Sequence, residues 1–236
     1  MSLPFFYLEA IDPSAEIIYL KEETSKHVVQ VLRMVINEEL RITDGKGNVY
    51  VAEIVDNDRK KCGLKIISKI FTPRPSDMKI IAISLVKNNT RFEWFLEKAA
   101  EIGVSEIMPL LCTRTEKQHF RLERMKGILI SAMLQSQQSW LPEIKQPQKF
   151  VAYIAGCTAT QKFIAHCEDG EEKIFLRDVV KAGDNTSVVL IGPEGDFSKE
   201  EIASAVNSNF IPVSLGRTRL RTETAGIVAA VMLCSV

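Results

Sequence analysis

The chain has 236 residues, 46% hydrophobic and 25% charged, and its 30 Lys+Arg are balanced by 30 Asp+Glu. This is the composition of a soluble globular protein with one large domain or two small ones. Zero net charge excludes a strongly basic tail, so any nucleic-acid partner must be met by a local positive patch.

The five cysteines (Cys62, Cys112, Cys157, Cys167 and Cys234) are odd in number and lack CxxC spacing. No metal site and no disulfide framework is expected, and a reducing cytoplasm suits them. The opening MSLPFFYLEAIDPSAE lacks a basic stretch followed by a long apolar run, so no signal peptide is expected. The longest uncharged runs, 127–142 and 224–236, are interrupted by Ser and Gln or too short to span a bilayer, so no membrane segment is expected.

In chain order, residues 1–72 read as a small β-rich domain. Phe5–Leu8 and Ile17–Leu20 have strand character, and 24–34 is helix-like, with Val28, Val31, Leu32 and Val35 as its apolar face. Strands are expected at 40–43, 49–55 and 62–70, with Asp44-Gly45-Lys46-Gly47-Asn48 as a hairpin turn. Pro73 and Pro75 mark an extended linker. From there to residue 236 strands and helices alternate, which predicts a second, α/β domain at 73–236 with a parallel sheet. Its elements are strand 80–85, helix 91–102 closed by Gly103, strand 106–111 and a long helix over 121–139. The stretch 152–184 is the least informative, with strands possible at 163–166 and 173–176.

Two stretches near the C-terminus organise the rest. Val188-Val189-Leu190-Ile191 is a short, continuously apolar, β-branched run that breaks at Gly192-Pro193-Glu194-Gly195. Ser198 then caps a helix with Glu200 and Glu201 in its first turn. The second stretch repeats the plan, with a strand at 211–215, a loop from Gly216 carrying Arg217, Arg219 and Arg221, and a helix from about Thr224. Loops leaving the carboxyl ends of strands are where open α/β sheets bind ligands.

GPEGDFS (192–198) with LGRTRLRTETA (215–225) resembles the SPOUT superfamily of RNA methyltransferases. More narrowly, it resembles the family that methylates N3 of a uridine in small-subunit ribosomal RNA, with its GPEGGFS and LGxRILRTETA patterns. Asp196 stands at that pattern's third glycine, and Thr218-Arg219 precede Leu220. The likeness extends along the chain. Phe95–Val104 resembles QKATELGV, Cys112-Thr113-Arg114-Thr115 resembles TERS, and Gln135-Ser136 fall in an AAEQSGR pattern whose arginine is replaced here. His27 and Val31-Leu32-Arg33 resemble HHxxRVLR in a PUA-like barrel, with one histidine instead of two, and Leu3-Pro4-Phe5-Phe6 lacks the arginine of PRFF.

The resemblance implies a C-terminal trefoil-knotted methyltransferase domain preceded by a PUA-like RNA-binding barrel. It also implies S-adenosylmethionine bent against the knot, a homodimer, and ribosomal RNA or the assembled small subunit as partner. For the cofactor wall the expected residues are Leu190, Gly192, Pro193, Glu194 and Gly195 from the first loop. The second loop and helix start add Leu215, Gly216, Leu220, Thr222, Thr224 and Ala225. Arg33, Arg114, Gln135, Arg217 and Arg219 are the candidate RNA contacts. Arg221 and Glu223 are the catalytic candidates. Uridine N3 carries a proton that must leave, so a base or a stabilised imide anion is needed. Glu223 fits the first role and Arg221 the second, unless the two simply pair with each other. A non-catalytic RNA- or nucleotide-binding α/β protein is the alternative, although GxGxxG and GxxxxGK[ST] are both absent.

Overall fold

The computed structural model describes residues 3–116, 119–168, 173–183 and 186–235. The chain divides into two compact units, residues 1–74 with 133–141, and residues 75–132 with 142–236. No helix among the described residues is long and apolar enough to cross a membrane.

The first unit is a curled five-stranded sheet. Its elements are β1 (Phe5–Tyr7), β2 (Ile18–Tyr19), α1 (Glu22–Lys26), β3 (Glu39–Thr43), β4 (Asn48–Asp56) and β5 (Gly63–Phe71), and the strands run in the order β1-β3-β4-β5-β2. Leu40, Ile42, Ala52, Ile54 and Leu64 alternate inward and are fully buried, as period-two patterning requires. The β3–β4 turn needs glycine at Gly47. Its φ is +89°, and a Cβ there would lie 2.5 Å from the Thr72 carbonyl oxygen.

The helix expected over 24–34 is a correction. α1 passes into a π turn at His27–Val31, and Arg33 adopts φ 57°. Of its apolar face only Val28 is buried, while Val31, Leu32 and Val35 are 67%, 42% and 54% exposed. The β-branched run is poor helix material, and tertiary packing uses only one of its side chains.

The second unit is a parallel sheet with helices on its faces. Its elements begin with β6 (Met78–Ser84), α2 (Asn89–Ile102), β7 (Glu106–Leu111) and α3 (Leu122–Gln135). They continue with β8 (Glu143–Ile144), β9 (Gln148–Lys149), α4 (Phe150–Gly156), β10 (Gln161–Ala165), β11 (Ile174–Phe175) and α5 (Leu176–Val179). The chain finishes with β12 (Thr186–Ile191), α6 (Lys199–Asn207), β13 (Ile211–Ser214) and α7 (Thr222–Cys234). The strand order is β11-β13-β10-β12-β6-β7-β8, with β9 beside β7. Val188, Val189 and Leu190 of β12 and Ile81, Ala82 and Ile83 of β6 are all fully buried. Burial on both faces is why these runs are continuously apolar rather than alternating.

Helix α3 ends at Gln135, four residues before the end expected from sequence, and Gln137 follows at φ 60°. Helix α2 closes at Gly103 with φ 101°, a left-handed C-terminal cap.

The strand order sets the site. Ala165 of β10 is in register with Ile191 of β12 on one side and Val213 of β13 on the other. The loops that follow these three strands therefore emerge side by side at the carboxyl end of the sheet. From β13 the chain returns so that α7 packs on α2, β6 and β12. Gly226 makes that approach possible, because a Cβ there would lie 2.7 Å from the Phe95 ring and 2.9 Å from Ile83.

Candidate active site

The first loop, 192–198, is built to hold one shape. At Gly192 a Cβ would lie 3.1 Å from both the ring and the backbone nitrogen of Phe197, which is buried beneath the loop. Ser198 forms a capping box with Glu201: the Glu201 N–H donates to the Ser198 hydroxyl at 3.2 Å, and the Ser198 N–H donates to the Glu201 carboxylate at 2.9 Å. The other carboxylate oxygen of Glu201 accepts the Thr113 N–H at 2.8 Å. Arg114 Nη1 donates to the Gly195 carbonyl at 2.6 Å and the Phe197 carbonyl at 3.3 Å. Glu194 accepts the Lys87 N–H at 2.9 Å. The 113–114 segment and the Lys87 backbone beyond β6 thus brace this loop.

The second loop, 215–221, has few such braces. Ser214 Oγ donates to the Gly216 carbonyl at 2.9 Å and accepts its N–H at 3.3 Å. Gly216, Arg217, Thr218, Arg219 and Arg221 are exposed. The three arginines make no ion pair among the described residues.

The loops enclose two adjoining cavities. One, of about 540 Å³, is walled by 213–220 with Ala165, His166, Cys167, Lys173 and Ala225. The other, of about 300 Å³, lies between 191–196 and 219–222, and again touches Ala165, Cys167 and Ala225. Of the residues expected at a cofactor wall, Leu215 and Gly216 line the first cavity, and Gly192, Pro193, Glu194 and Thr222 the second. Leu220 and Ala225 line both. Leu190 is fully buried in β12 beneath them. Gly195 and Thr224 are not among the lining residues of either cavity, although Gly195 supplies the carbonyl that Arg114 holds.

The charged candidates separate. Arg217 lines the larger cavity, Arg219 both, and Arg221 the smaller one. Glu223, in the first turn of α7, lines neither cavity and does not pair with Arg221. It is 6% exposed, and Oε1 lies 3.7 Å from Nε of Arg91 at the start of α2. Its Oε2 is buried without a hydrogen-bond partner. Arg114 is committed to the first loop. Arg33 and Gln135 are exposed and belong to the first compact unit.

Sequence reasoning missed Arg91, Ala165, Cys167 and Lys173. The last three fall in the stretch that read least clearly. Nothing local marks them, because Ala165 and Cys167 reach the site through the insertion of β10 between β12 and β13, and Lys173 through the pairing of β11 with β13.

A parallel α/β sheet whose strand ends carry glycine-rich loops around a cavity, with arginines on the rim, defines an enzyme class that handles a small cofactor and an anionic substrate. Comparison with known proteins narrows this. Residues 73–234 match the model of an RNA methyltransferase domain, and residues 20–67 that of an RNA methyltransferase PUA domain. The chain belongs to this RNA methyltransferase family, and its N-terminal domain is PUA-like.

A crystal structure titled "probable rRNA-methyltransferase from Porphyromonas gingivalis" is 36% identical and superposes with a TM-score of 0.88, covering 99% of this chain and all of that one (100%). The ribosomal RNA small subunit methyltransferase E of Neisseria gonorrhoeae, solved bound to S-adenosyl methionine, is 26% identical with a TM-score of 0.84, over 97% of this chain and 95% of that one. The ribosomal RNA small subunit methyltransferase E of Buchnera aphidicola (Acyrthosiphon pisum) is 28% identical over 98% of this chain and 92% of its own length. The fold is thus the SPOUT methyltransferase type that the motifs resemble.

Proposed function

We propose that the protein transfers a methyl group from S-adenosylmethionine to N3 of a uridine in small-subunit ribosomal RNA. The observation that carries this reading is the meeting of the two motif loops around one pair of cavities, with Arg219 lining both and Arg221 the smaller. The residues fit the cofactor. The larger cavity, about 540 Å³, has the size of a small-molecule site. Leu215, Leu220, Ala165 and Ala225 offer apolar faces for a purine, and loop backbone surrounds them to read its edges. At Gly216 an added Cβ would meet nothing within 4 Å, so the backbone faces open space that a ligand can approach closely.

S-adenosylmethionine supplies a methyl group activated on a sulfonium. The chain must hold the uridine in line with it and remove the N3 proton. Arg221, on the rim of the smaller cavity, stabilises negative charge developing at O2 or O4 of the base. Glu223 is the proton acceptor or orienting group, because its buried Oε2 has no hydrogen-bond donor in the fold while N3–H is one. Arg91 holds the other carboxylate oxygen. Arg217 and Arg219 contact phosphates, while Arg33, Gln135 and the PUA-like domain bind other parts of the RNA. Arg114 holds the first loop through Nη1 and, exposed at the surface, also contacts RNA in this reading. The division of the chain at residues 1–72 and 73–236, the trefoil knot of the second domain, the homodimer, the ribosomal particle as substrate and the cytoplasmic setting belong to the same reading.

The test is methyl incorporation from labelled S-adenosylmethionine into small subunits lacking the endogenous modification, with nucleoside analysis. N3-methyluridine is the expected product. Binding of S-adenosylhomocysteine without incorporation moves the target to another RNA. No binding at micromolar concentration favours the non-catalytic RNA- or nucleotide-binding reading. Sedimentation showing only monomer at micromolar concentration removes the dimer.

A further inference from the structure

We propose that Asp196 is a positioning residue for the cofactor: its carboxylate clamps the backbone of the 166–168 segment and so fixes the cavity wall that sequence alone did not reveal. The inference rests on the cofactor reading of the cleft. Asp196 stands where the resembled pattern has glycine, and its φ of 63° explains the glycine. The left-handed region disfavours most side chains and tolerates aspartate through local hydrogen bonds. Asp196 uses both of its oxygens. Oδ1 accepts the Phe197 N–H at 2.8 Å, and Oδ2 accepts the Cys167 N–H at 2.7 Å, across 29 residues of chain.

The second bond is the informative one. Cys167 lines both cavities, Asp196 lines the smaller, and no glycine could make this link. The same segment is gripped from its carbonyl side by Lys173 Nζ, which donates to His166 O at 2.9 Å and Glu168 O at 2.6 Å. The backbone at 166–168 is therefore held at an N–H by a carboxylate and at two carbonyls by an ammonium. Charge-assisted bonds of this kind are the stronger class. The 166–168 segment leaves the end of β10 and is not part of either motif loop. By clamping it to the braced first loop, Asp196 makes a third, pre-ordered wall and lowers the ordering cost of binding.

Asp196→Gly is a clean probe, because glycine accepts φ 63° without strain and only the acceptor is lost. The measurements are S-adenosylhomocysteine affinity by calorimetry, amide exchange at Cys167 and thermal melting. Expected are roughly tenfold weaker binding, the scale of the one charge-assisted bond to Cys167, and faster exchange at Cys167, with melting lowered by less than the affinity loss. In turnover KM for S-adenosylmethionine rises while kcat holds. Asp196→Asn, which keeps one acceptor oxygen and tolerates the backbone, recovers part of the affinity. Lys199→Ala, which removes only the exposed ion pair to Glu168, leaves affinity within twofold. Asp196→Gly binding within twofold of the parent overturns the inference. So does an affinity loss accompanied by a matching loss of melting temperature, which indicates a purely structural role. If the parent protein itself fails to bind S-adenosylhomocysteine, the cofactor reading fails and the inference falls with it. The parent titration therefore separates the two failures.

Discussion

The two motif loops share a plan of strand, glycine-broken turn and helix, yet the structure treats them oppositely. The 192–198 loop is fastened by Arg114, Glu194, Asp196, Ser198 and Glu201, with Phe197 buried below it. The 215–221 loop is exposed and carries three arginines without ion pairs among the described residues. The difference teaches a division of labour. The braced loop fixes its side of the cleft in advance. The open loop gives Leu215, Gly216 and Leu220 to the larger cavity and keeps its cations solvated, because pairing them inside the protein would compete with an anionic ligand.

The largest expected effect tests the open loop. Arg221→Ala should lower methyl transfer by about 10²–10³-fold, the range for losing one preorganised charge-stabilising donor, with cofactor affinity and melting near parental values. A comparable drop in melting would mean that Arg221 braces the fold instead. Next comes the braced loop. Glu201→Ala leaves the N–H groups of Thr113 and Ser198 without their acceptor and should cost about 2–3 kcal/mol in urea unfolding. Gly192→Val drives a side chain into Phe197 and should cost about 1–3 kcal/mol, with S-adenosylhomocysteine binding weakened more than RNA binding.

Cysteine chemistry reads the same contrast. Burial pushes the Cys112 thiol up to about 12, with the neighbouring Glu201 carboxylate adding to the effect. A raised thiol value favours the protonated folded state. Its stability contribution is full below the free thiol's 9.0 and drains away as pH rises towards about 12. Urea midpoints should therefore fall from pH 8 to 10.5 less steeply in Cys112→Ala than in the parent. At neutral pH iodoacetamide should spare Cys112 and label exposed Cys167, and S-adenosylhomocysteine should protect Cys167. The smallest effect is at Arg217. Its replacement by Ala should leave stability within about 0.5 kcal/mol and reduce the salt dependence of RNA binding by about one unit of slope.

The sequence made the β12 and β13 plan, the Ser198 cap, the Gly103 stop and the β3–β4 turn legible, because each depends on a local rule. Continuous β-branched runs read as buried strands, and glycine ends helices. Residues 24–34 misled, because an apolar face at helical spacing does not by itself fix a regular α-helix, and most of this one is exposed. The alternative that Arg221 and Glu223 simply pair with each other does not hold, because nearness along the chain does not set the direction in which α7 turns its side chains. Glu223 faces Arg91, more than a hundred residues away in sequence.

By itself the sequence determined the strand-loop-helix units, the family and the identity of the two loops that wall the cavities. These are written in short-range patterns of glycine, β-branching and charge. The tertiary structure alone decided which strands became neighbours. That choice brought Ala165, Cys167 and Lys173 to the cavity, gave Arg114 to the first loop and let Asp196 reach across to the Cys167 backbone. The physical reason is that strand order in a parallel sheet depends on long crossovers and the burial of whole faces, and no local window of residues records either.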